Sequence, residues 1–201
     1  MKILNLYAGI GGNRKNWGGH EITAVEYTFD IAQVYKDNFP DDTMVIEDAH
    51  QYLLDHYSEF DFIWASPPCQ SHSRMIRSGR NRVPRYPDLR LYEEILFLMH
   101  NFKGKWVVEN VIPYYEPLVK GTKVGRHLFW SNFEITQDVV VPEFKNMINR
   151  QNLTAKKQLQ DWIGIHYEKN IYYGDNHCAT QILRNCVHPI LGEHVFNCQF
   201  K

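Results

Sequence analysis

Apolar and polar positions in the first hundred residues alternate between strand-like and helix-like segments. Short apolar runs that end at turn residues are typical of buried strands, and the segments between them carry apolar residues at helical spacing. This alternation predicts an α/β fold, with a mostly parallel sheet flanked by helices. The predicted strands are Ile3–Tyr7, Glu21–Glu26, Thr43–Glu47, Phe60–Ala65 and Lys105–Glu109, and the predicted helices are Phe29–Asn38, Ala49–His56 and Leu89–Asn101.

The pattern is less regular after the fifth strand. Two short apolar runs, Leu128–Trp130 and Phe133–Ile135, flank Ser131 and Asn132 and predict a bent strand pair. An amphipathic helix is expected from Thr154 to Gly164. No repeat or convincing linker divides the chain, so we expect a single domain over 1–201, with a small insertion at about 133–181. A C-terminal helix over about 182–199, interrupted at His188-Pro189, is expected to return to the sheet.

Composition places the chain among ordinary globular proteins. Hydrophobic residues make up 44% and charged residues 22% of the 201 positions. No apolar run approaches the roughly 20 residues that a membrane-spanning helix needs, and the chain opens on a strand pattern rather than a basic leader. We therefore expect a cytoplasmic enzyme without a membrane partner.

The four cysteines show no CxxC spacing, so neither a zinc ribbon nor a redox motif is indicated. Cys69 stands apart from the other three. A C-terminal group of cysteines and histidines could in principle hold a metal ion, but its spacing matches no standard site and we expect no metal. That group consists of Cys178, Cys186 and Cys198 with His177, His188 and His194.

Charge is unevenly placed although the net charge is only −1. Between positions 74 and 90 there are six arginines and a single acid, Asp88. Such a local excess can neutralise phosphates even in a nearly neutral protein, although a solvated loop without a partner is an equally good interpretation. The arginines are Arg74, Arg77, Arg80, Arg82, Arg85 and Arg90.

The first predicted strand runs directly into a glycine-rich turn, residues 7–12, which we expect to open toward a helix. Glycines let the backbone pass close to a bound nucleotide. Glu26 ends the second strand, where such folds place an acid on a ribose hydroxyl. Asp48 follows the third strand, and its alternative role is to cap the helix that begins at Ala49.

Two further chemical groups are predicted at the carboxyl edge of the sheet. The fourth strand leads into Ser66-Pro67-Pro68-Cys69-Gln70, whose prolines hold the cysteine on a stiff turn. Polar neighbours and the following arginines favour a reactive thiolate over a buried structural cysteine. The fifth strand ends at Glu109, close enough to act on the same ligand as an acid or hydrogen-bond donor, although a surface acid is the alternative.

Together these segments resemble the DNA cytosine-5 methyltransferase family. Tyr7–Gly12 is similar to its Phe-x-Gly-x-Gly-Gly turn, Pro68-Cys69-Gln70 to its nucleophile motif and Glu109-Asn110-Val111 to its Glu-Asn-Val motif, in the same order. Near the end, 184–189 resembles its Gly-Asn-x-Val segment. The resemblance covers about 1–135 and 181–196, and it implies a Rossmann-like class I fold that binds S-adenosylmethionine and DNA.

The resemblance also implies roles for single residues. Cys69 would add to carbon 6 of a flipped-out cytosine, Glu109 would hold or protonate N3, and carbon 5 would then take the methyl group. The implied cofactor-binding residues are Tyr7, Ala8, Gly9, Gly11, Gly12, Glu26 on the ribose, Tyr27, Asp48 on the adenine amine, Ala49, Pro68, Asn185 and Val187. The implied substrate-binding residues are Gln70, Ser71, Arg74, Arg77, Arg80, Arg82, Arg85, Asn110 and His127.

The chain departs from the family pattern in three places. Tyr7 replaces the usual phenylalanine, which we expect to be harmless because either ring can pack on adenine. The family's Gln-x-Arg-x-Arg motif is represented by 125–129, so Arg126 or His127 contacts the cytosine carbonyl, and Arg126 is the preferred catalytic candidate. The recognition region is short, which predicts short or relaxed sequence specificity. Its cations, expected either on phosphates or on a solvated face, are Lys145, Arg150, Lys156 and Lys157.

Two other functions remain open from the sequence. A related branch of the family methylates cytosine in transfer RNA with the same Cys and Glu motifs. A non-catalytic protein could instead keep the fold and bind DNA or a methyltransferase partner, although retention of both Cys69 and Glu109 argues against it. Small proteins of this pattern resemble orphan methyltransferases of bacterial viruses, and the sequence indicates neither a target site nor an oligomeric state.

Overall fold

The computed structural model describes residues 1–77, 85–144, 153–173 and 178–201. Its strands are β1 (Lys2–Leu6), β2 (Glu21–Val25), β3 (Thr43–Val45), β4 (Phe62–Ala65), β5 (Lys105–Val111), β6 (Thr122–Val124) and β7 (His127–Ser131). Its α-helices are α1 (Phe29–Asn38), α2 (Ala49–His56), α3 (Arg90–Asn101), α4 (Leu153–Ile163), α5 (Gln181–Arg184) and α6 (Pro189–Cys198). The described strands form one sheet with the order β3-β2-β1-β4-β5-β7-β6.

The first five strands run parallel; the first four end level with one another, and β5 continues three residues further. Leu6 at the end of β1 pairs with Val25 of β2 on one side and with Ala65 of β4 on the other. The chain adds β2 and β3 on one side of β1 and then β4 and β5 on the other side. The boundary between β1 and β4 is therefore a topological switch point. Open α/β sheets bind their ligands in the crevice at the carboxyl ends of the strands beside such a point.

The predicted α/β class and all five predicted parallel strands are confirmed, with shifts at their ends. The fourth strand begins at Phe62 rather than Phe60, and the third ends at Val45. The fifth continues to Val111 because an antiparallel partner, β7, pairs with it to that residue. No helix in the described ranges is long and apolar enough to cross a membrane.

The strand pair predicted around Ser131 and Asn132 has its first strand, β7, in the structure, but the prediction of the second strand is wrong. β7 pairs instead with β6, through a two-residue turn at Gly125 and Arg126, where Gly125 has a φ of +58°. Residues 133–135 are not a strand. The Asn132 side chain caps the edge of the sheet by accepting a hydrogen bond from the backbone N–H of Trp106 at 3.1 Å and donating one to the carbonyl of Gly104 at 2.8 Å.

The glycine-rich turn after β1 does not open toward a helix, which corrects that expectation. Residues 12–16 form successive turns before Gly18 and Gly19. Gly12 and Gly18 bound this segment, and glycine is unfavourable in a helix interior. The segment is held by side chains instead, because Asn13 donates to the Asn5 side chain at 2.8 Å and the Trp17 ring stacks on Phe196.

The C-terminal helices pack on one face of the sheet, where Ile22 and Ala24 of β2 point. Helix α6 buries Val195 and Phe196 in the same apolar cluster as Phe62 of β4. Helices α4 and α5 share a second cluster with α1. These contacts bring residues 182–187 to the crevice.

Candidate active site

A cavity of about 350 Å³ lies at the carboxyl ends of β1, β4 and β5, at the switch point. It is open to solvent and receives side chains from the glycine turn, the proline-cysteine turn and the C-terminal segment. The predicted site residues that line it are Tyr7, Ala8, Gly9, Gly12, Glu26, Tyr27, Asp48, Ala49, Pro68, Cys69, Gln70, Glu109, Asn110, Arg126, His127, Asn185 and Val187.

The last two glycines of the turn have packing roles. A Cβ on Gly12 would lie 2.6 Å from the carbonyl oxygen of Val187, so only glycine lets the turn approach the C-terminal segment this closely. Gly11, which the resemblance placed among the cofactor contacts, does not line the cavity. It has a φ of +84°, and a Cβ there would lie 2.3 Å from the ring of Phe39. Gly11 therefore allows the turn to pack against Phe39, on the side away from the cavity.

Glu26 lines the cavity and is held in place by backbone hydrogen bonds. Its carboxylate accepts hydrogen bonds from the backbone N–H groups of Gly9 at 3.1 Å and Thr28 at 2.8 Å. Burial raises the pKa of Glu26, while the backbone hydrogen bonds oppose that rise. Each carboxylate oxygen can accept a second hydrogen bond, so ribose hydroxyls would find an acceptor here without breaking the existing contacts.

Asp48 caps α2 and also lines the cavity, and its role toward a ligand stays a prediction. Its Oδ1 accepts from the backbone N–H of Gln51 at 3.0 Å and so caps α2. The same side chain lines the cavity, and its Oδ2 lies 3.8 Å from a guanidinium nitrogen of Arg90. Capping holds the carboxylate still at the mouth of the cavity, where it is half exposed.

The turn that carries Cys69 is held from two directions. Asn110, buried on β5, donates from its side chain to the carbonyl of Pro67 at 2.9 Å. On the other side, the carbonyl of Cys69 accepts from the backbone N–H groups of His72 at 3.0 Å and Ser73 at 2.9 Å. Asn110 was assigned to the substrate, and the structure adds this contact, which positions the nucleophile turn.

Burial raises the pKa of the Cys69 thiol to about 11, and the nearby Glu109 carboxylate adds to the rise. Arg126 opposes it but does not reverse it. The sequence-based expectation that the arginines after Cys69 favour the thiolate is therefore wrong for the described residues. The thiol is therefore the resting form of Cys69.

Alkylation of Cys69 by iodoacetamide is expected to be slow at pH 7 and to rise about tenfold per pH unit toward pH 11. Only the thiolate reacts, and a pKa near 11 leaves roughly one molecule in 10⁴ in that form at pH 7. Peptide mass spectrometry across this pH range measures the rate. Glutathione in the same tube, with an ordinary thiol pKa, should level off by about pH 9; a Cys69 profile that levels off equally early would refute the raised pKa.

Glu109, His127 and Arg126 form a chain of hydrogen bonds along the cavity wall. Arg126 donates from Nε to Nε2 of His127 at 3.2 Å, and Nδ1 of His127 lies 2.6 Å from Oε1 of Glu109. Because Nε2 accepts, the single proton of a neutral imidazole sits on Nδ1 and is donated to Glu109. Oε2 of Glu109 makes no hydrogen bond to any described residue and is the oxygen left for a ligand.

Arg126 also reaches the C-terminal segment. Its guanidinium donates to the carbonyls of Arg184 at 3.1 Å and Cys186 at 3.4 Å, and burial lowers its pKa. Arg126 and His127 both line the cavity, so the assignment of the cytosine carbonyl to one of them stays a prediction.

The arginine-rich segment is only partly described. Arg74 and Arg85 are exposed and do not line the cavity, whereas Arg80, Arg82 and the side chain of Arg77 fall outside the described residues. Ser71, assigned to the substrate, does not line the cavity either. Its hydroxyl accepts from the backbone N–H of Asp88 at 3.0 Å, which ties the two ends of the segment together beside the cavity.

One cation of the recognition region is placed differently from the prediction. Lys156 is 6% exposed, and its ammonium donates to the carbonyls of Glu168 at 2.8 Å and Lys169 at 2.7 Å. A buried ammonium with internal acceptors cannot reach a phosphate, so the prediction for Lys156 is wrong. Lys157 is exposed, and Lys145 and Arg150 lie outside the described residues.

Sequence reasoning missed several lining residues, among them His72, Arg90 and Tyr173. Buried His72 approaches the Tyr115 hydroxyl at 2.5 Å through Nδ1. Tyr173 comes from the insertion and lies near Glu26, Cys69 and the Gln70 side chain. No motif marks Tyr173, whereas Arg90 was noticed only as one charge in a basic run. Within the described ranges, no three potential metal ligands converge.

The sheet order and the cavity at its switch point define the Rossmann-like class of S-adenosylmethionine-dependent methyltransferases. The family model for C-5 cytosine-specific DNA methylase matches residues 1–113, more than half of the 201-residue chain. The chain belongs to this family, as its motifs indicated.

Similarity to the following relatives covers about half of the chain. It is 35% identical over 118 residues to a tRNA (cytosine(38)-C(5))-methyltransferase of Spodoptera frugiperda, covering 51% of this chain and 36% of that protein. The mouse (Mus musculus) protein of the same name is 27% identical over 118 residues, covering 55% and 28%. A crystal structure of a DNMT2 mutant from Spodoptera frugiperda matches at 30% identity with a TM-score of 0.40, covering 55% and 35%. The chain thus spans 22% to 36% of the length of the curated relatives it matches.

Proposed function

We propose that this protein transfers a methyl group from S-adenosylmethionine to carbon 5 of cytosine in DNA through a covalent adduct with Cys69. The observation that carries the proposal is the convergence of Cys69 and Glu109 on one cavity that also contains the glycine turn and Glu26. The matching family model is described as a DNA methylase, which supports DNA as the polymer. A flipped-out base is required because ring carbons inside a duplex are inaccessible.

The cavity fits the proposed cofactor on three structural grounds. Gly12 leaves room for close backbone approach, Glu26 offers buried carboxylate oxygens for ribose hydroxyls, and Asp48 is a fixed acceptor for an adenine amine. Tyr7 and Leu91 add apolar lining for the adenine ring. When bound, S-adenosylmethionine supplies an electrophilic methyl group on a sulfonium.

The residues of this chain act mainly on the cytosine ring. The Cys69 thiol loses its proton to solvent, and its sulfur bonds to carbon 6, while the ring electrons move toward N3, which Glu109 holds or protonates. Carbon 5 then has enamine character and takes the methyl group, which leaves S-adenosylhomocysteine. Solvent takes the carbon 5 proton, and the double bond between carbons 5 and 6 forms again as the sulfur–carbon 6 bond breaks. N3 returns any proton it took to Glu109, and the expelled thiolate regains a proton from solvent.

Transfer RNA is a second candidate substrate, and a specific observation favours it. All four curated relatives carry the name tRNA (cytosine(38)-C(5))-methyltransferase. Their similarity covers 39% to 55% of this chain, so it leaves the polymer undecided. The catalytic chemistry would be the same in either polymer.

Labelled methyl transfer to two substrates in parallel tests the proposal. We expect label from S-adenosylmethionine to enter unmodified duplex DNA and to be recovered as 5-methylcytosine after hydrolysis. Transfer to unmodified transfer RNA and not to DNA would replace the first candidate with the second. Absence of transfer to both, with the nucleic acid still bound, would favour the non-catalytic alternative.

A further inference from the structure

A buried carboxylate lies directly behind the cofactor end of the cavity. Glu94 of α3 is fully buried, with 0% of its surface exposed, and it does not line the cavity. Its Oε1 accepts a short hydrogen bond from the Tyr7 hydroxyl and lies 3.0 Å from Nδ1 of His50. Nothing in the proposed chemistry uses Glu94. Burying a carboxyl group costs free energy, so the position of Glu94 between two partners needs an explanation.

The three segments that meet at Glu94 each contribute to the cavity wall. Tyr7 begins the glycine turn; His50 follows Asp48 and Ala49 at the start of α2; and Glu94 lies one helical turn after Arg90 and Leu91 on α3. One carboxylate oxygen therefore joins the three pieces of backbone that surround the expected adenine position.

Tyr7 holds a backbone conformation that needs such an anchor. Its φ is +55°, and among the described residues it is the only non-glycine with positive φ. Left-handed backbone is unfavourable for a residue with a side chain and persists where surrounding contacts impose it. The hydroxyl contact to Glu94 is one of those contacts, so the tyrosine that replaces the family's phenylalanine is not a silent exchange.

We propose that Glu94 is a positioning residue for cofactor binding, which holds the glycine turn through Tyr7 and the start of α2 through His50. This inference rests on the proposed function, because it assumes that S-adenosylmethionine binds at this end of the cavity. With the anchor in place, the turn is already in its binding conformation and association does not have to order it. Without it, the turn relaxes toward ordinary φ values and binding must restore the strained form.

Tyr7→Phe and Glu94→Gln test the inference, with S-adenosylhomocysteine as the probe in isothermal titration calorimetry. Tyr7→Phe keeps the ring and removes only the hydroxyl, and we expect its Kd to rise about tenfold, as for loss of one buried hydrogen bond. Glu94→Gln should raise the Kd similarly. The double variant should be scarcely weaker than either single variant, because both changes break the same contact.

Two control variants separate this effect from a general loss of stability. Tyr52→Phe removes a half-buried hydroxyl on α2 that hydrogen-bonds to no described residue, and Glu59→Gln removes the acid of an exposed pair with His56 at 2.7 Å. Both controls should bind the probe as wild type does. In steady-state assays, Tyr7→Phe should raise the KM for S-adenosylmethionine and leave kcat at saturating cofactor within about twofold, a split that a purely structural role would not give.

The outcomes distinguish failure of the proposed function from failure of the inference about Glu94. Wild-type protein that binds no S-adenosylhomocysteine would overturn the proposed function, and the inference with it. Wild type that binds, with Tyr7→Phe and Glu94→Gln each within twofold of its Kd, would overturn the inference alone, even if the melting temperatures of both variants fall.

Discussion

Cys69→Ser is expected to abolish methyl transfer, lowering kcat by a factor on the order of 10⁴ or more. A serine hydroxyl is a far weaker acid than a thiol, and no described residue is hydrogen-bonded to the Cys69 side chain as a general base. The substitution is nearly isosteric at a half-buried position, so the fold should survive. Labelled methyl transfer to duplex DNA and to transfer RNA measures the effect.

Cys198→Ser is the matched control for this result. Cys198 is a buried cysteine on α6, away from the cavity, and its replacement should leave activity within a few fold of wild type. Cys69→Ser should still bind S-adenosylhomocysteine with the wild-type Kd, because the thiol lies outside the predicted cofactor contacts. A Cys69→Ser variant that retains a tenth or more of wild-type activity would remove the covalent mechanism.

Glu109→Gln should have the second largest effect, a loss of roughly 10²- to 10⁴-fold in kcat. The glutamine oxygen can still accept from Nδ1 of His127, so the side chain should keep its place at 2.6 Å from the imidazole. An amide can donate a hydrogen bond to N3 but cannot transfer a proton to it. The loss therefore measures the part of catalysis that depends on a titratable carboxyl.

The control for Glu109→Gln is Glu134→Gln, the same change at an exposed position beyond β7. It should be silent in the same assay. If Glu109→Gln falls less than about fivefold while Glu134→Gln is unchanged, Glu109 holds the base by hydrogen bonding alone and proton transfer is not part of the step.

The parallel half of the sheet could be predicted because its signals are local. Apolar runs such as Phe62–Ala65 end in prolines or glycines, which fix where the chain leaves the sheet. Parallel strands all end at one edge, so Cys69 and Glu109 could be placed together from their positions alone. The cavity that they share agrees with that placement.

The antiparallel half of the sheet was harder to predict because its strand pairing depends on contacts between residues that are distant in the sequence. β6 has only three residues, and its turn at Gly125 follows no strong strand pattern, so the apolar residues 133–135 looked like the better partner. The contact between Glu109 and His127 depends on this register. Val111 pairs with His127, which places Glu109 diagonally across from the imidazole on the same face of the sheet.

The pKa of Cys69 and the contacts of Lys156 depend on how deeply each side chain is buried, which the sequence does not show. The run of arginines suggested an acidic thiol, yet burial and Glu109 raise the pKa of Cys69. Lys156 looked like a phosphate contact, yet it binds backbone carbonyls on a neighbouring loop. In both cases composition gave the sign of the charges but not their distance from the group that they act on.

The central claim is that Cys69 forms a bond to the cytosine ring, and trapping that bond is its most direct test. DNA or transfer RNA, whichever is methylated, is prepared with 5-fluorocytosine, because fluorine cannot leave carbon 5 as the proton does and the adduct persists after methyl transfer. Incubation with S-adenosylmethionine, digestion and mass spectrometry then locate the attachment. The account predicts a nucleotide adduct on the peptide that contains Cys69, absent from Cys69→Ser; methylation of the normal substrate without a trapped adduct, or an adduct on another residue, would contradict it.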